Sequence, residues 1–174
     1  MRVFVGCSAY DEINSVYFKE ARKISDVLIC KNYELIFGCR NKGLMKEVYQ
    51  TFIANNINVK GICSKTFEHD LDEINCNKKL VESTCDQLKE FMKSDLMVFL
   101  PGGYGTYNEI FYMINAFVNG EHYSKIIIIN INNYYDELIS ILNKIKKEKF
   151  AKMYDFVYII EDSNELESLL EEIC

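Results

Sequence analysis

Residues 96–109, LMVFLPGGYGTYNE, join a buried strand, a glycine-rich turn and the start of a helix. The run 96–100 is nearly unbroken apolar sequence, which is typical of a parallel strand covered on both faces of its sheet. Three glycines follow in the turn, and the apolar spacing over 106–118 favours a helix. A strand leading through a short turn into a helix is the repeating unit of α/β proteins.

The same alternation of strand and helix signals continues along the whole chain. Short apolar runs predict strands over 2–6, 33–37, 57–62, 96–100, 125–131 and 156–160. Apolar residues three or four apart predict helices over 14–29, 43–55, 84–94, 106–118, 134–147 and 164–173. Residues 64–79 are polar and are expected to be irregular. The pattern predicts one domain over 1–174, an α/β fold with a Rossmann-like doubly wound parallel sheet and helices on both faces.

Composition narrows the classes of function. The 174 residues are 49% hydrophobic and carry a formal net charge of −6, which argues against nucleic acid as a partner. No apolar run approaches the ~18 residues that cross a bilayer, and no signal peptide is recognisable, so we expect a cytoplasmic protein with no membrane partner. The seven cysteines lack zinc-site spacing. We therefore expect no metal site, and free thiols in a reducing compartment.

Ligands of doubly wound sheets bind at the carboxyl ends of the strands, where the strand order reverses. That rule selects the loops after Val5, Phe37 and Leu100. The third loop is rich in glycine, which lets the backbone approach a ligand closely. The helix that follows presents unpaired N–H groups and the positive end of its dipole. Together these features predict an anion site, most naturally for phosphate.

Two side chains of this loop have alternative roles. Thr106 is a candidate helix cap or a hydroxyl donor to the phosphate. Glu109, about one turn further on, either closes a capping box onto Thr106 or faces the ligand as a catalytic carboxylate. A tight turn with an ordinary cap, and no ligand at all, is the simpler alternative.

Residues 101–109, PGGYGTYNE, resemble the P-G-G-x-G-T-x-x-E signature of the Lonely Guy (LOG) family. Its members are cytokinin riboside 5′-monophosphate phosphoribohydrolases and related nucleotide hydrolases, often mislabelled as lysine decarboxylases. Residues 5–8, VGCS, resemble the family's G-S-S loop, and residues 37–45, FGCRNKGLM, resemble its Y-G-G-G-x-x-G-L-M turn. The pair at 134–135, YY, resembles its G-Y-Y segment. The resemblance covers nearly the whole chain.

The resemblance implies a homodimeric enzyme that cleaves the N-glycosidic bond of a nucleoside 5′-monophosphate to free base and ribose 5-phosphate. It implies no metal or organic cofactor, and the helices at 84–94 and 106–118 are the expected dimer interface. Glu109 matches the family's catalytic carboxylate, which would stabilise an oxocarbenium-like transition state or activate water. The residues that the resemblance places against phosphate or substrate are Ser8, Gly38, Met45, Leu88, Gly102, Gly103, Tyr104, Gly105, Thr106 and Asn115.

The helix at 84–94 departs from the family, whose motif there is M-x-x-R-K-x-x-M. Lys89 matches, but Leu88 stands where the family has a catalytic arginine, and leucine neither carries charge nor donates a hydrogen bond. Our hypothesis is that Arg40 supplies the missing guanidinium, with Lys89 as a second candidate; a solvent-facing Arg40 is the alternative. Two functions therefore remain open: a phosphoribohydrolase, or a non-catalytic protein of the same fold that binds a nucleotide or another phosphate ligand.

Overall fold

The computed structural model describes residues 1–66, 74–151 and 155–173. Within these ranges the chain forms a seven-stranded sheet in the order β4-β3-β2-β1-β5-β6-β7. The strands are β1 (Arg2–Gly6), β2 (Glu34–Phe37), β3 (Val59–Ser64), β4 (Asn77–Val81), β5 (Leu96–Phe99), β6 (Lys125–Ile129) and β7 (Val157–Ile160). The helices are α1 (Ser15–Cys30), α2 (Gly43–Ala54), α3 (Thr84–Phe91), α4 (Tyr104–Val118), α5 (Asp136–Lys147) and α6 (Ser163–Ile173).

Every strand pairing in the sheet is parallel. From β1 the chain proceeds outward through β2 and β3 to β4, and then returns to β5 on the other side of β1. The strand order therefore reverses between β1 and β5. The predicted Rossmann-like doubly wound parallel sheet is confirmed.

Two apolar layers cover the sheet because successive strand residues point to opposite faces. Val3 and Val5 of β1 face α1, α2 and α6 in one cluster, whereas Phe4 lies in a second cluster with residues of α3, α4 and α5. The central strands β1, β5 and β6 are buried on both faces. This explains why these strands read as continuous apolar runs.

The prediction of irregular structure over 64–79 is wrong at its end, where β4 forms the edge of the sheet. Its sequence, NKKLV, is mostly exposed, so it carries neither an apolar run nor an apolar alternation that would mark a strand. Pairing with β3 creates the strand. Residues 67–73 of that predicted segment lie outside the described residues.

The expectation of free thiols is wrong for Cys39 and Cys63, which form a disulfide with a Cα–Cα distance of 5.2 Å. The register pairs Phe37 of β2 with Gly61 of β3, so each cysteine lies two residues beyond the same rung. A separation of 24 residues along the chain conceals this proximity in the sequence. Four other cysteines are free, namely Cys7, Cys30, Cys76 and Cys85. Cys174 lies outside the described residues.

Of the helices in the described ranges, none has the length and apolarity needed to cross a bilayer. A cytoplasmic location and the absence of a nucleic-acid partner remain predictions.

Candidate functional site

A cavity of about 910 Å³ opens at the carboxyl ends of the central strands, beside the reversal of strand order. The loop after β1 contributes Ser8, the loop after β2 contributes Gly38 and Arg40, and the glycine loop follows β5. All three loops selected from the sequence therefore meet at one cavity. Residues of α3, among them Leu88, form a further wall.

The start of α4 faces this cavity without a side-chain cap. Gly103 is the N-cap, and no side chain accepts a hydrogen bond from the first turn there. Residues 103–106 all line the cavity. Because the first N–H groups of a helix have no partner within the helix, this end offers donors and a positive dipole to an anion.

The two capping roles considered for Thr106 and Glu109 are wrong. The helix begins earlier than its apolar pattern indicates, at Tyr104, so Gly103 takes the N-cap position. Thr106 is buried in the first turn. A Cβ built on Gly102 would lie 2.1 Å from the Thr106 hydroxyl oxygen, so only glycine fits above this side chain. Glu109 lies in the second turn and points toward β1, since its Oε2 would be 2.7 Å from a Cβ built on Gly6.

Backbone hydrogen bonds connect the loops around the cavity. Ser8 N–H donates to the carbonyl of Pro101 at 3.0 Å, and Met45 N–H donates to the carbonyl of Ser8 at 3.1 Å. Tyr10 N–H donates to the Ser8 hydroxyl oxygen at 3.1 Å, which leaves the hydroxyl proton to donate elsewhere. Ser8 thus bridges the glycine loop and the start of α2.

Gly43 fixes the junction between the loop after β1 and α2. Its φ is +57°, in the left-handed region, and a Cβ there would lie 2.5 Å from the backbone nitrogen of Tyr10. Its N–H donates to the Asp11 carboxylate at 2.8 Å. Glycine is therefore required by both conformation and space.

Glu109 is the acidic group of the cavity. Its Oε2 is buried and has no hydrogen-bond partner among the described residues. Burial raises the pKa of Glu109 to about 8. The neighbouring Cys7 is also buried, and burial, followed by the charge of Glu109, raises the pKa of its thiol well above the ordinary value. Cys7 therefore stays protonated near neutral pH.

The two cation candidates occupy different places. Arg40 lines the cavity and is half-buried, whereas Lys89 is exposed on α3 and lies outside the lining. Leu88, which stands in the family's arginine position, is buried in the cavity wall. Asn115 is exposed more than one turn beyond Glu109 on α4, away from the cavity. The structure thus brings together the predicted site residues other than Lys89 and Asn115.

Eight lining residues are not among the predicted site residues, namely Cys7, Ala9, Tyr10, Thr84, Gln87, Tyr107, Asn108 and Tyr134. Tyr10 could have been predicted from the rule that selects the loop after Val5, because it follows Ser8 by two positions. Nothing in the sequence marks Thr84 or Gln87, since the wall that they form depends on how α3 packs over β3. There the Gln87 amide donates to the carbonyl of Ile62 at 2.6 Å.

The described residues include no group of three or more His, Cys, Asp or Glu side chains placed to share a metal ion. The cavity combines an uncapped helix start, an arginine and a buried carboxyl group. Fold and site together define an α/β protein of Rossmann-like topology with a cavity beside the reversal of strand order, lined by a helix start that has no side-chain cap.

A family model described as "Possible lysine decarboxylase" matches residues 45–173. The chain belongs to this family, whose members include the LOG proteins. Cytokinin riboside 5′-monophosphate phosphoribohydrolase LOG2 of Arabidopsis thaliana is 27% identical over 98% of this chain and 83% of that protein. Cytokinin riboside 5′-monophosphate phosphoribohydrolase LOG1, also from Arabidopsis thaliana, is 30% identical over 85% of this chain and 70% of that protein. The resemblance noted in the sequence is confirmed.

Solved structures of low sequence identity share the fold. A molybdenum cofactor binding protein from Rippkaea orientalis aligns with a TM-score of 0.72 at 17% identity, covering 99% of this chain and 96% of that chain. A Moco carrier protein from Chlamydomonas reinhardtii aligns with a TM-score of 0.73 at 13% identity, covering 98% and 95% respectively. At these identities the likeness concerns the fold alone.

Proposed function

We propose that this protein hydrolyses the N-glycosidic bond of a nucleoside 5′-monophosphate, releasing the free base and ribose 5-phosphate. The observation that carries this proposal is Glu109, whose buried oxygen without a partner faces the same cavity as the open start of α4. The phosphoribohydrolase names of its relatives support it.

The phosphate group of the substrate would bind at the start of α4. The N–H groups of residues 104–106 supply donors there, and the first turn of a helix favours a negative charge. Nothing lies within 4 Å of a Cβ built on Gly103 or Gly105, so the backbone is open to close approach. Arg40, on the facing loop, would contribute a bidentate guanidinium to the phosphate.

The reaction adds one water molecule across the bond between the anomeric carbon and the base nitrogen. The departing base takes a proton, and the hydroxyl group joins the sugar carbon. As the bond breaks, positive charge develops on the sugar ring. The ionised Glu109 carboxylate would stabilise this charge or orient the attacking water.

Leu88 favours the alternative of a non-catalytic binding protein, because it provides no charge in the cavity wall. Against this, the cavity keeps both an acid and a cation, Glu109 and Arg40. A protein that only binds nucleotide has no need for a carboxyl group buried at a cost in solvation.

Incubation of the pure protein with AMP and other nucleoside monophosphates, followed by chromatography for the free base, tests the activity. Glu109→Gln should abolish base release while retaining AMP binding. Glu167→Gln, which changes an exposed carboxylate on α6, is the matched control and should keep full activity. Tight AMP binding without any base release would favour the binding protein instead.

The role of Arg40 is tested by comparing Arg40→Ala with Lys89→Ala. The first change removes a cation from the cavity and should weaken AMP binding at least tenfold, since a hydrogen bond between charged groups contributes about 1.5–3 kcal/mol. The second removes an exposed cation outside the cavity and should leave affinity unchanged. Unchanged affinity in Arg40→Ala would show that Arg40 does not contribute to AMP binding.

We also propose that the protein is a homodimer. Tyr104, Phe111 and Val118 recur every seven residues along α4 and are 97%, 39% and 38% exposed. Such a stripe lies on one face of a helix and is suited to packing against a second copy. Phe111→Glu should convert a dimer into a monomer in light scattering. Ile141→Glu, at an exposed position on α5, should not change the molecular mass.

A further inference from the structure

Two consecutive tyrosines before α5 bind carbonyl groups of the glycine loop. The Tyr134 hydroxyl donates to the carbonyl of Gly102 at 2.6 Å. The Tyr135 hydroxyl donates to the carbonyl of Leu100 at 2.7 Å. Tyr134 also lines the cavity, whereas Tyr135 is fully buried beneath it.

The turn that presents these tyrosines is itself fixed. Asn132 and Asn133 adopt positive φ angles of 54° and 59°, a conformation that asparagine tolerates better than most residues. The side chain of Asn130 accepts a hydrogen bond from Tyr135 N–H at 2.7 Å. The direction of both hydroxyl groups is therefore set by the end of β6.

Two aromatic rings contact the ring of Tyr134. Tyr17 of α1 packs edge-on against it at a centroid distance of 6.0 Å, and Tyr135 does so at 5.0 Å. Burial, followed by the neighbouring Tyr17, raises the pKa of Tyr134. The phenol thus remains protonated and keeps its donor to Gly102.

This hydrogen bond determines how the next peptide group is oriented. The described residues contain no cis peptide bond, and in a trans peptide the carbonyl and the following N–H point in opposite directions. With the Gly102 carbonyl bound to Tyr134, the Gly103 N–H is directed away from that tyrosine. No packing replaces this restraint, because a Cβ at Gly103 would meet nothing within 4 Å.

We infer that Tyr134 is a positioning residue that gives the cavity its preference for a 5′-phosphorylated nucleotide over the corresponding nucleoside. By binding the Gly102 carbonyl, it keeps that partial negative charge from turning toward the phosphate and keeps the adjacent N–H groups available as donors. This inference rests on the proposed function, because it assumes that the start of α4 receives the phosphate.

The test compares the dissociation constants of AMP and adenosine by calorimetry, in the Glu109→Gln background so that AMP is not consumed. Tyr134→Phe removes the hydroxyl and keeps the ring packing. It should raise the Kd of AMP about fivefold, in keeping with one hydrogen bond, and leave the Kd of adenosine unchanged. Tyr158→Phe on β7, which removes a hydroxyl that donates to the Asp155 carbonyl, should change neither value.

If Tyr134 had a merely structural role, Tyr134→Phe would weaken the binding of AMP and of adenosine equally, or would only lower the melting temperature. If Tyr134→Phe retains the wild-type preference for AMP, the inference is overturned and the proposed function stands. If the Glu109→Gln background with Tyr134 intact binds AMP no better than adenosine, both are overturned. Should Tyr134→Phe not fold, Tyr17→Leu removes the supporting ring and must also lower the preference; an unchanged preference there overturns the inference.

Discussion

Glu109 shows how one side chain acquires unusual chemistry from its surroundings. Its position in the second turn of α4 directs it toward β1, where Gly6 leaves the space that its carboxyl group occupies. Burial without a hydrogen bond to Oε2 disfavours the charged form. The same burial has opposite consequences for folding stability and for catalysis, and each can be measured.

The contribution of Glu109 to the free energy of unfolding should fall as pH rises. Its pKa is about 8 in the folded chain against an ordinary value of 4.5. Between these values the folded state holds a proton that the unfolded state has lost, so the contribution is complete below pH 4.5 and is lost as pH approaches 8. The expected loss is about 1.4 kcal/mol per pH unit.

Urea unfolding of the wild type and Glu109→Gln at a series of pH values measures this contribution. The difference in unfolding free energy should move in favour of Glu109→Gln from pH 5 to pH 8, because glutamine cannot ionise. A constant difference over this range would contradict the raised pKa.

Catalysis should need the opposite form of Glu109. If the carboxylate stabilises positive charge on the sugar, kcat/KM for AMP should rise nearly tenfold per pH unit up to about pH 8 and then level off, because kcat/KM follows the free enzyme. The substrate phosphate, with a second pKa of about 6, is fully ionised from pH 7 upward and does not disturb this range. A decline above pH 8 would instead identify Glu109 as a proton donor.

The turn between β5 and α4 shows how much the sequence pattern predicts about a single structural element. Its glycines correctly indicated a turn, and all of them line the cavity. That this turn binds an anion stays a prediction. The prediction that Thr106 caps α4 was wrong. Threonine is a good capping residue by type, and the burial of Thr106 in the first turn depends on its contact with Gly102, which the sequence does not show. The three glycines of this turn, which look equivalent in the sequence, therefore have different structural roles.

Gly102→Ala should destabilise the protein by about 2 kcal/mol, the usual cost of forcing an atom into a filled site. Its new methyl group would lie 2.1 Å from the Thr106 hydroxyl oxygen. Gly105→Ala is the matched control in the same loop: it enters open space and should leave stability unchanged or raise it by up to about 1 kcal/mol. Thermal unfolding of both variants decides the point, and equal losses would refute the difference between the two positions.

At the scale of the whole molecule, the sheet order places three distant loops side by side. The loops after β1, β2 and β5 meet because the chain returns to the middle of the sheet after β4. The same neighbour relation of β2 and β3 brings Cys39 and Cys63 into a disulfide. That bond joins the loop after β2 to β3, and Cys39 stands in the chain between Gly38 and Arg40 of the cavity.

Reduction of this disulfide should lower the unfolding free energy by about 3 kcal/mol, the loop-closure contribution for a sequence separation of 24 residues. Urea unfolding with and without dithiothreitol measures the effect. The double variant Cys39→Ala and Cys63→Ala should lose its response to reductant, whereas Cys30→Ala, at an exposed free cysteine, should keep it. An equal response in all three proteins would mean that the bond does not form in solution.

Local chemistry explains which predictions could be made from the sequence. Apolar runs in β1, β5 and β6 predicted strands, because burial on both faces requires such runs. The glycine turn after β5, and the place of Glu109 in the helix that follows it, were predictable because a turn and a helix depend on neighbouring residues. In contrast, β4 has no apolar signal, and the missed Thr84 and Gln87 reach the cavity only through the packing of α3.

The amino-acid order alone determined the alternation of strands and helices, the doubly wound class, the family and the glycine loop that lines the cavity, since each depends on residues close together in the chain. Tertiary structure alone decided that Arg40 joins the cavity while Lys89 and Asn115 do not. It also decided the pairing of the two cysteines and the raised pKa of Glu109. These properties depend on distance and burial in space, which segments far apart in the chain create only when the sheet assembles.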